Sequence, residues 1–137
     1  MRRNAADDKV VISAVGSTSP AADQADATWI VRTGLADSSC LTFESAGAPV
    51  RFLRHYAFEL SVSADDGGSL FTQDATFCPT AGNSGAGVSL RSVNYPTKYV
   101  RHYDYKGYVA ADGGSNSWDA TASWAQDTSW LTASPWR

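Results

Sequence analysis

Apolar and polar residues alternate along two short stretches, CLTFES at 40–45 and VSLRSV at 88–93. That period of two predicts half-buried strands. Clusters of turn formers separate such stretches: DDGGS at 65–69, AGNSGAG at 81–87 and ADGGSNS at 111–117. Each supplies Gly, Asn or Asp where the backbone must reverse. Few long helix-forming runs interrupt them, so the expected class is all-β.

The strand pattern repeats. FLRHYAF (52–58) aligns with YVRHYDY (99–105), which sets His55 and His102 47 residues apart. FTQDATF (71–77) then meets WAQDTSW (124–130), and an upstream copy reads DQADATW at 23–29. Asp26, Asp74 and Asp127 thereby become equivalent, at separations of 48 and 53. Asp119, in a literal Asp-Ala-Thr, is rejected as the third member because it lacks the preceding Gln and the aromatic three residues on. Three repeats of about 47–53 residues, each with about four short strands, predict a β-trefoil filling a single domain, 1–137. The repeats run approximately 1–47, 48–96 and 97–137. A β-sandwich has no reason to repeat three times. In the first copy Arg2-Arg3-Asn4 stands where Arg-His-Tyr is expected, which puts Arg3 at the His position. No counterpart of CLTFES precedes Met1, so the chain is expected to begin inside repeat one, truncated at its N-terminus.

Composition narrows the partners. The formal net charge of −3 argues against nucleic acid. MRRNAADD has no apolar core behind its arginines and so is no secretory signal, and no apolar run approaches the roughly 18 residues of a membrane span. Cys40 and Cys78, 38 apart, suit either one disulfide in a secreted protein or two buried thiols. A bridge would be worth about 4 kcal/mol on the chain-entropy model.

The candidate chemistry lies in the repeated residues. His55, Tyr56 and Asp74 form one set, and His102, Tyr103 and Asp127 another. A carboxylate accepts hydrogen bonds from two hydroxyls, an imidazole adds one donor and one acceptor, and a phenol ring covers C–H surface. Together they can grip one small polyol ring. An Asp in a turn could instead serve the local backbone, and a His could be a satisfied core residue. These are the only two histidines in the chain, and both hold the same repeat position. Arg54 and Arg101 precede the histidines in a strand and are expected on the opposite face, solvated or ion-paired. Trp29, Trp124 and Trp130 hold aromatic repeat positions and read as core, whereas Trp118 and Trp136 have no equivalents. Catalysis is not expected: glycoside hydrolysis takes two carboxyls within about 10 Å, and each motif supplies one. No GxSxG occurs, and two distant histidines make no zinc site. No cofactor or metal is expected.

RFLRHY, FTQDATFCP, GAGVSLRSVNYP, KYVRHY and TGLADSSCLTFES together resemble the arabinofuranose-binding domain of α-L-arabinofuranosidases, carbohydrate-binding module family 42. The resemblance extends from about Met1 to Trp136. It implies a β-trefoil that binds terminal arabinofuranose side chains of arabinoxylan and arabinan, with pockets at His55, Tyr56 and Asp74 and at His102, Tyr103 and Asp127. It implies a Cys40–Cys78 disulfide, secretion, a monomer, and a glycoside hydrolase catalytic domain in the parent protein. Arg3 and Asn4 depart from the pattern, so a third pocket around Asp26 is expected to be degenerate. A galactose-binding lectin of the ricin type and a protein-interaction trefoil are the rival readings.

Overall fold

The computed structural model describes residues 1–136, and its class is all-β. In chain order the elements are β1 (Arg2–Arg3), β2 (Val10–Val11), α1 (Ala21–Asp26), β3 (Trp29–Thr33), β4 (Leu41–Ser45), β5 (Arg51–Tyr56) and β6 (Glu59–Ala64). There follow α2 (Ser69–Asp74), β7 (Phe77–Ala81), β8 (Val88–Ser92), β9 (Tyr99–Tyr103), β10 (Lys106–Ala110), a 3₁₀ turn at Ser117–Asp119, and α3 (Trp124–Asp127). The two alternating stretches are β4 and β8, as their pattern predicts. The three helices were not expected. At four to six residues they are too short for a 3.6-residue period to register in sequence. Each ends on the repeated aspartate.

Strand pairing places corresponding positions of three hairpins in matching register. In the three antiparallel hairpins Arg3 faces Val10, His55 faces Leu60 and His102 faces Gly107. The second strands of these hairpins then pair with one another in a closed ring. Glu59 pairs with Tyr108, Lys106 with Val11, and Lys9 with Ser61. Two further contacts recur one copy apart: Leu41 pairs with Phe77 as Val88 does with Trp130, and Glu44 pairs with Phe52 as Arg91 does with Tyr99.

The core fills the inside of this ring. Val10, Leu53, Leu60, Val62, Phe77, Leu90, Val100 and Val109 are buried in one cluster, and Trp29, Phe43 and Trp130 pack against it. Val10, Leu60 and Gly107 occupy equivalent register positions. A side chain at all three would overfill the space: a Cβ on Gly107 would lie 3.0 Å from both Leu60 Cδ1 and Val10 Cγ1. The Cys40–Cys78 disulfide, with Cα atoms 4.5 Å apart, ties the loop before β4 to β7 and uses both cysteines.

Two-residue loops close the second and third hairpins, Ala57-Phe58 and Asp104-Tyr105, and all four residues have positive φ. This is the twist-matched type I′ geometry, here without the usual Asn-Gly signature. The first hairpin turns more widely, with the Asn4 N–H donating to the Lys9 carbonyl at 2.7 Å.

The packing at Gly107 yields a stability test. Gly107→Val should lower stability by about 1–3 kcal/mol through overpacking against Leu60 and Val10. Urea unfolding measures this, and an unchanged midpoint would mean that the three positions do not meet.

Candidate functional site

The second copy builds a small, half-open site where β5, the Ala57-Phe58 turn and α2 meet the segment that follows β8. Its cavity of about 160 Å³ is lined by His55, Tyr56, Phe58, Leu70, Asp74 and Tyr95, with Ala57 at the turn. That is well below the 300–1,000 Å³ of sites for drug-sized ligands and suits one small ring. Asp74 is the only carboxylate in the lining.

Asp74 is 4% exposed and sits at the C-terminal end of α2. A buried carboxylate requires partners. Arg54 Nη2 donates to Asp74 Oδ2 at 2.5 Å, and Asn94 Nδ2 donates to Asp74 Oδ1 at 2.9 Å. His55 Nε2 lies 3.5 Å from the same Oδ1. These are side-chain partners, so Asp74 does not spend its oxygens on a local turn. The opposite-face expectation for Arg54 is therefore corrected, while its ion-paired role stands. Strand alternation governs the direction of the Cα–Cβ bond, not where a long guanidinium arm ends.

Aromatic rings close the sides of the cavity. Phe58 stacks on His55 at 6.5 Å, and Tyr95 packs edge-on against His55 at 5.5 Å and Phe58 at 5.0 Å. Lys98 Nζ lies 4.2 Å from the Phe58 ring centroid. Tyr56 is 70% exposed, so its ring stands at the mouth of the cavity.

The third copy repeats the centre. Arg101 Nη2 donates to Asp127 Oδ2 at 3.0 Å, and His102 Nε2 lies 3.5 Å from Asp127 Oδ1. Arg101 is fully buried, holding the carbonyls of Trp118, Ala120 and Ala122 as well, so the solvated alternative does not apply to it. Each arginine also lies over the tyrosine two residues on, Arg54 over Tyr56 and Arg101 over Tyr103. The copies differ in enclosure: the His102 side chain is 41% exposed and that of His55 4%. Asp119 stands apart. It accepts the N–H groups of Ala111 and Asn116 and the Asn116 side-chain amide, which stiffens its own loop.

In the first copy Arg3 takes the imidazole's place. Its Nε donates to Asp26 Oδ1 at 2.9 Å, its Nη1 to Asp8 Oδ1 at 2.7 Å and its Nη2 to the Gly47 carbonyl at 3.3 Å. Gly47 holds the position of Asn94, and a Cβ there would fall 2.0 Å from Asp26 Oδ1.

Sequence reasoning missed Asn94, Tyr95 and Phe58. Aligning Ala46-Gly-Ala-Pro49 with Val93-Asn-Tyr-Pro96 would have flagged Asn94 and Tyr95 as polar and aromatic replacements for Gly47 and Ala48. A larger groove of about 630 Å³ involves Trp29, Phe43, Leu90 and Trp130, but its lining holds neither a carboxylate nor an imidazole. The one His/Cys/Asp/Glu cluster with metal-ligand spacing among the described residues is Asp37, Cys40 and Cys78, and its sulfurs are bonded to each other.

Residues 2–132 match the family described as the alpha-L-arabinofuranosidase B (ABFB) domain. The chain belongs to that family. It is 59% identical over 117 residues to "Probable alpha-L-arabinofuranosidase B" of Aspergillus fumigatus, covering 85% of this chain and 23% of that protein. "Alpha-L-arabinofuranosidase B" of Aspergillus oryzae is 59% identical over 105 residues, 77% of this chain and 21% of that protein. This ABFB domain thus spans about a quarter of the length of the curated relatives it matches. Among solved structures, a variant GH54 α-L-arabinofuranosidase soaked with 4-nitrophenyl α-L-arabinofuranoside superposes with a TM-score of 0.92 at 42% identity. The match covers 95% of the ABFB domain and 27% of that chain. An arabinofuranosidase complexed with arabinofuranosyl-α-1,2-xylobiose superposes with a TM-score of 0.90 at 44% identity, covering 91% and 26%.

Burial pushes the His55 pKa below the usual imidazole value, and Arg54 and Lys98 push the same way. The Asn94 hydrogen bond and the Asp74 charge offset this only in part. The unfolded chain therefore binds this proton more tightly than the folded one. The contribution to stability is full above the ordinary imidazole value of about 6.5 and is lost as pH falls toward the folded value. The urea midpoint should fall between pH 7 and pH 5, and His55→Gln should flatten that fall. Equal slopes for the two proteins would contradict this account of the buried imidazole.

Proposed function

We propose that this ABFB domain is a non-catalytic carbohydrate-binding module, a single β-trefoil over 1–137, that recognises terminal arabinofuranose side chains of arabinoxylan or arabinan. The observation that carries the reading is the twice-built centre. In both copies an arginine holds one carboxylate oxygen while a histidine stands 3.5 Å from the other. The closed ring of hairpin pairings and the three register-equivalent copies support the trefoil.

The binding residues in this reading are His55, Tyr56 and Asp74 in one pocket and His102, Tyr103 and Asp127 in the other. The aspartates accept hydroxyl protons in charge-assisted hydrogen bonds, and the tyrosine rings cover the C–H surface. A furanose is small and puckered, so enclosure in a cavity of about 160 Å³ serves it better than a flat aromatic platform. The site at Arg3 and Asp26 is degenerate in this reading because a guanidinium stands where the other copies place the imidazole.

The single carboxylate in each site supports binding over hydrolysis, which takes two. The names of the relatives support attachment to an arabinofuranosidase catalytic domain. The domain would hold that enzyme on hemicellulose, with added avidity where both pockets reach one polymer. The disulfide supports secretion. The domain acts as a monomer, with no cofactor.

Affinity electrophoresis in arabinoxylan tests this directly. Asp74→Asn and Asp127→Asn should each weaken binding roughly 10-fold or more, the scale of one charge-assisted hydrogen bond. The double variant should lose retardation, and Asp26→Asn should retain it. Full retardation of a folded double variant, or competition by galactose in place of arabinofuranosides, would overturn the assignment.

A further inference from the structure

Asn94 bridges the carboxylate and the imidazole of the pocket, Asp74 and His55. A carboxylate can only accept, so the Asn94 atom 2.9 Å from Asp74 Oδ1 is its NH₂. The amide oxygen consequently faces His55 Nε2 at 3.0 Å. Ser92 Oγ, which accepts from the Tyr95 N–H, donates to that same oxygen at 3.0 Å. An unprotonated Nε2 would set two lone pairs against each other across 3.0 Å. The proton therefore belongs on Nε2, and the chain Asp74–Asn94–His55 has one polarity throughout.

We propose that Asn94 is a positioning residue that fixes His55 as the Nε2–H tautomer, leaving the Nδ1 lone pair as a hydrogen-bond acceptor for ligand in this pocket. His55 is 3% exposed, lines the cavity, and has no protein partner at Nδ1 among the described residues. Asp74 keeps further lone pairs beyond those used by Arg54 and Asn94. The imidazole and the carboxylate then both present acceptors to the pocket, and favour a ligand that brings two hydroxyl donors. The other centre has no such lock. Among the described residues His102 Nε2 meets Asp127 and no amide, and the first copy carries Gly47 at this position. The two centres thus differ in what holds the imidazole proton, an amide oxygen beside the carboxylate in one and the carboxylate without an amide in the other, although their carboxylates and imidazoles match in spacing.

This inference deepens the sugar-binding reading and rests on it for the identity of the ligand, whereas the tautomer stands on the hydrogen bonds alone. With two histidines in the chain, long-range ¹H–¹⁵N NMR of the labelled protein gives two imidazole patterns, and His102→Gln assigns them. His55 should be neutral and protonated at Nε2 at pH 7. Asn94→Asp places a second carboxylate beside His55, with Asp74 opposite and Arg54 and Lys98 the nearby cations. That variant should convert the ring to imidazolium, and Asn94→Ala should leave mixed tautomers.

In an Asp127→Asn background, methyl α-L-arabinofuranoside should shift the His55 Nδ1 resonance, and both Asn94 variants should bind it at least 10-fold more weakly. A wild-type His55 protonated at Nδ1 would overturn the inference even if neither variant folds. So would an unchanged His55 pattern with unchanged affinity in Asn94→Ala. A wild type with the Nε2–H imidazole and no response to the arabinofuranoside would refute the sugar reading and leave the tautomer assignment intact.

Discussion

A carboxylate at the end of a short helix, out of water, must be met by a cation or by hydrogen-bond donors. Asp26, Asp74 and Asp127 each end such a helix, and each is met by an arginine from the first strand of the hairpin in its own copy. The strand supplies the arginine and the next residue along supplies the histidine, so one ion pair fixes both the helix and the imidazole. Removing either partner would strand a largely desolvated charge. The site chemistry therefore depends on an interaction that also holds the fold.

The copies differ in how the arginine meets the carboxylate. Arg54 and Arg101 approach Oδ2 and leave Oδ1 to the histidine side. Arg3, standing at the histidine position itself, lies on Oδ1 of Asp26 and carries Asp8 and the Gly47 carbonyl on its remaining donors. That arrangement puts a guanidinium where the other two copies place an imidazole. Enclosure then separates the other two centres. Tyr95 and Phe58 wall in His55, whereas the His102 ring has one aromatic neighbour among the described residues, Trp130 at 5.7 Å, and stands much more open.

The equivalence of the histidine and aspartate positions was legible because repetition marks a position more than once: the hairpin register aligns the two histidines, and each aspartate ends a short helix. The all-β class and the cysteine pair were legible for similar reasons, from alternation and from count together with family likeness. Asn94 was not, because a search for residues shared between copies passes over one whose counterpart is Gly47, and only the differences between the aligned segments point to it. The arginines were misplaced because alternation describes Cβ and says little about a guanidinium several bonds away. The helices escaped notice because four to six residues hold barely more than one turn. The I′ turns escaped because Ala57-Phe58 and Asp104-Tyr105 carry no glycine.

The central claim is that the Asp–His–Tyr centres of the second and third copies are where an arabinofuranose sits. A crystal of the domain soaked with an arabinofuranosyl xylo-oligosaccharide tests it most directly. The account predicts a furanose ring with hydroxyls on the carboxylates of Asp74 and Asp127, and none at Asp26. Sugar density elsewhere, in the apolar groove beside Trp29 and Trp130 for instance, or a furanose on Asp26, would contradict it.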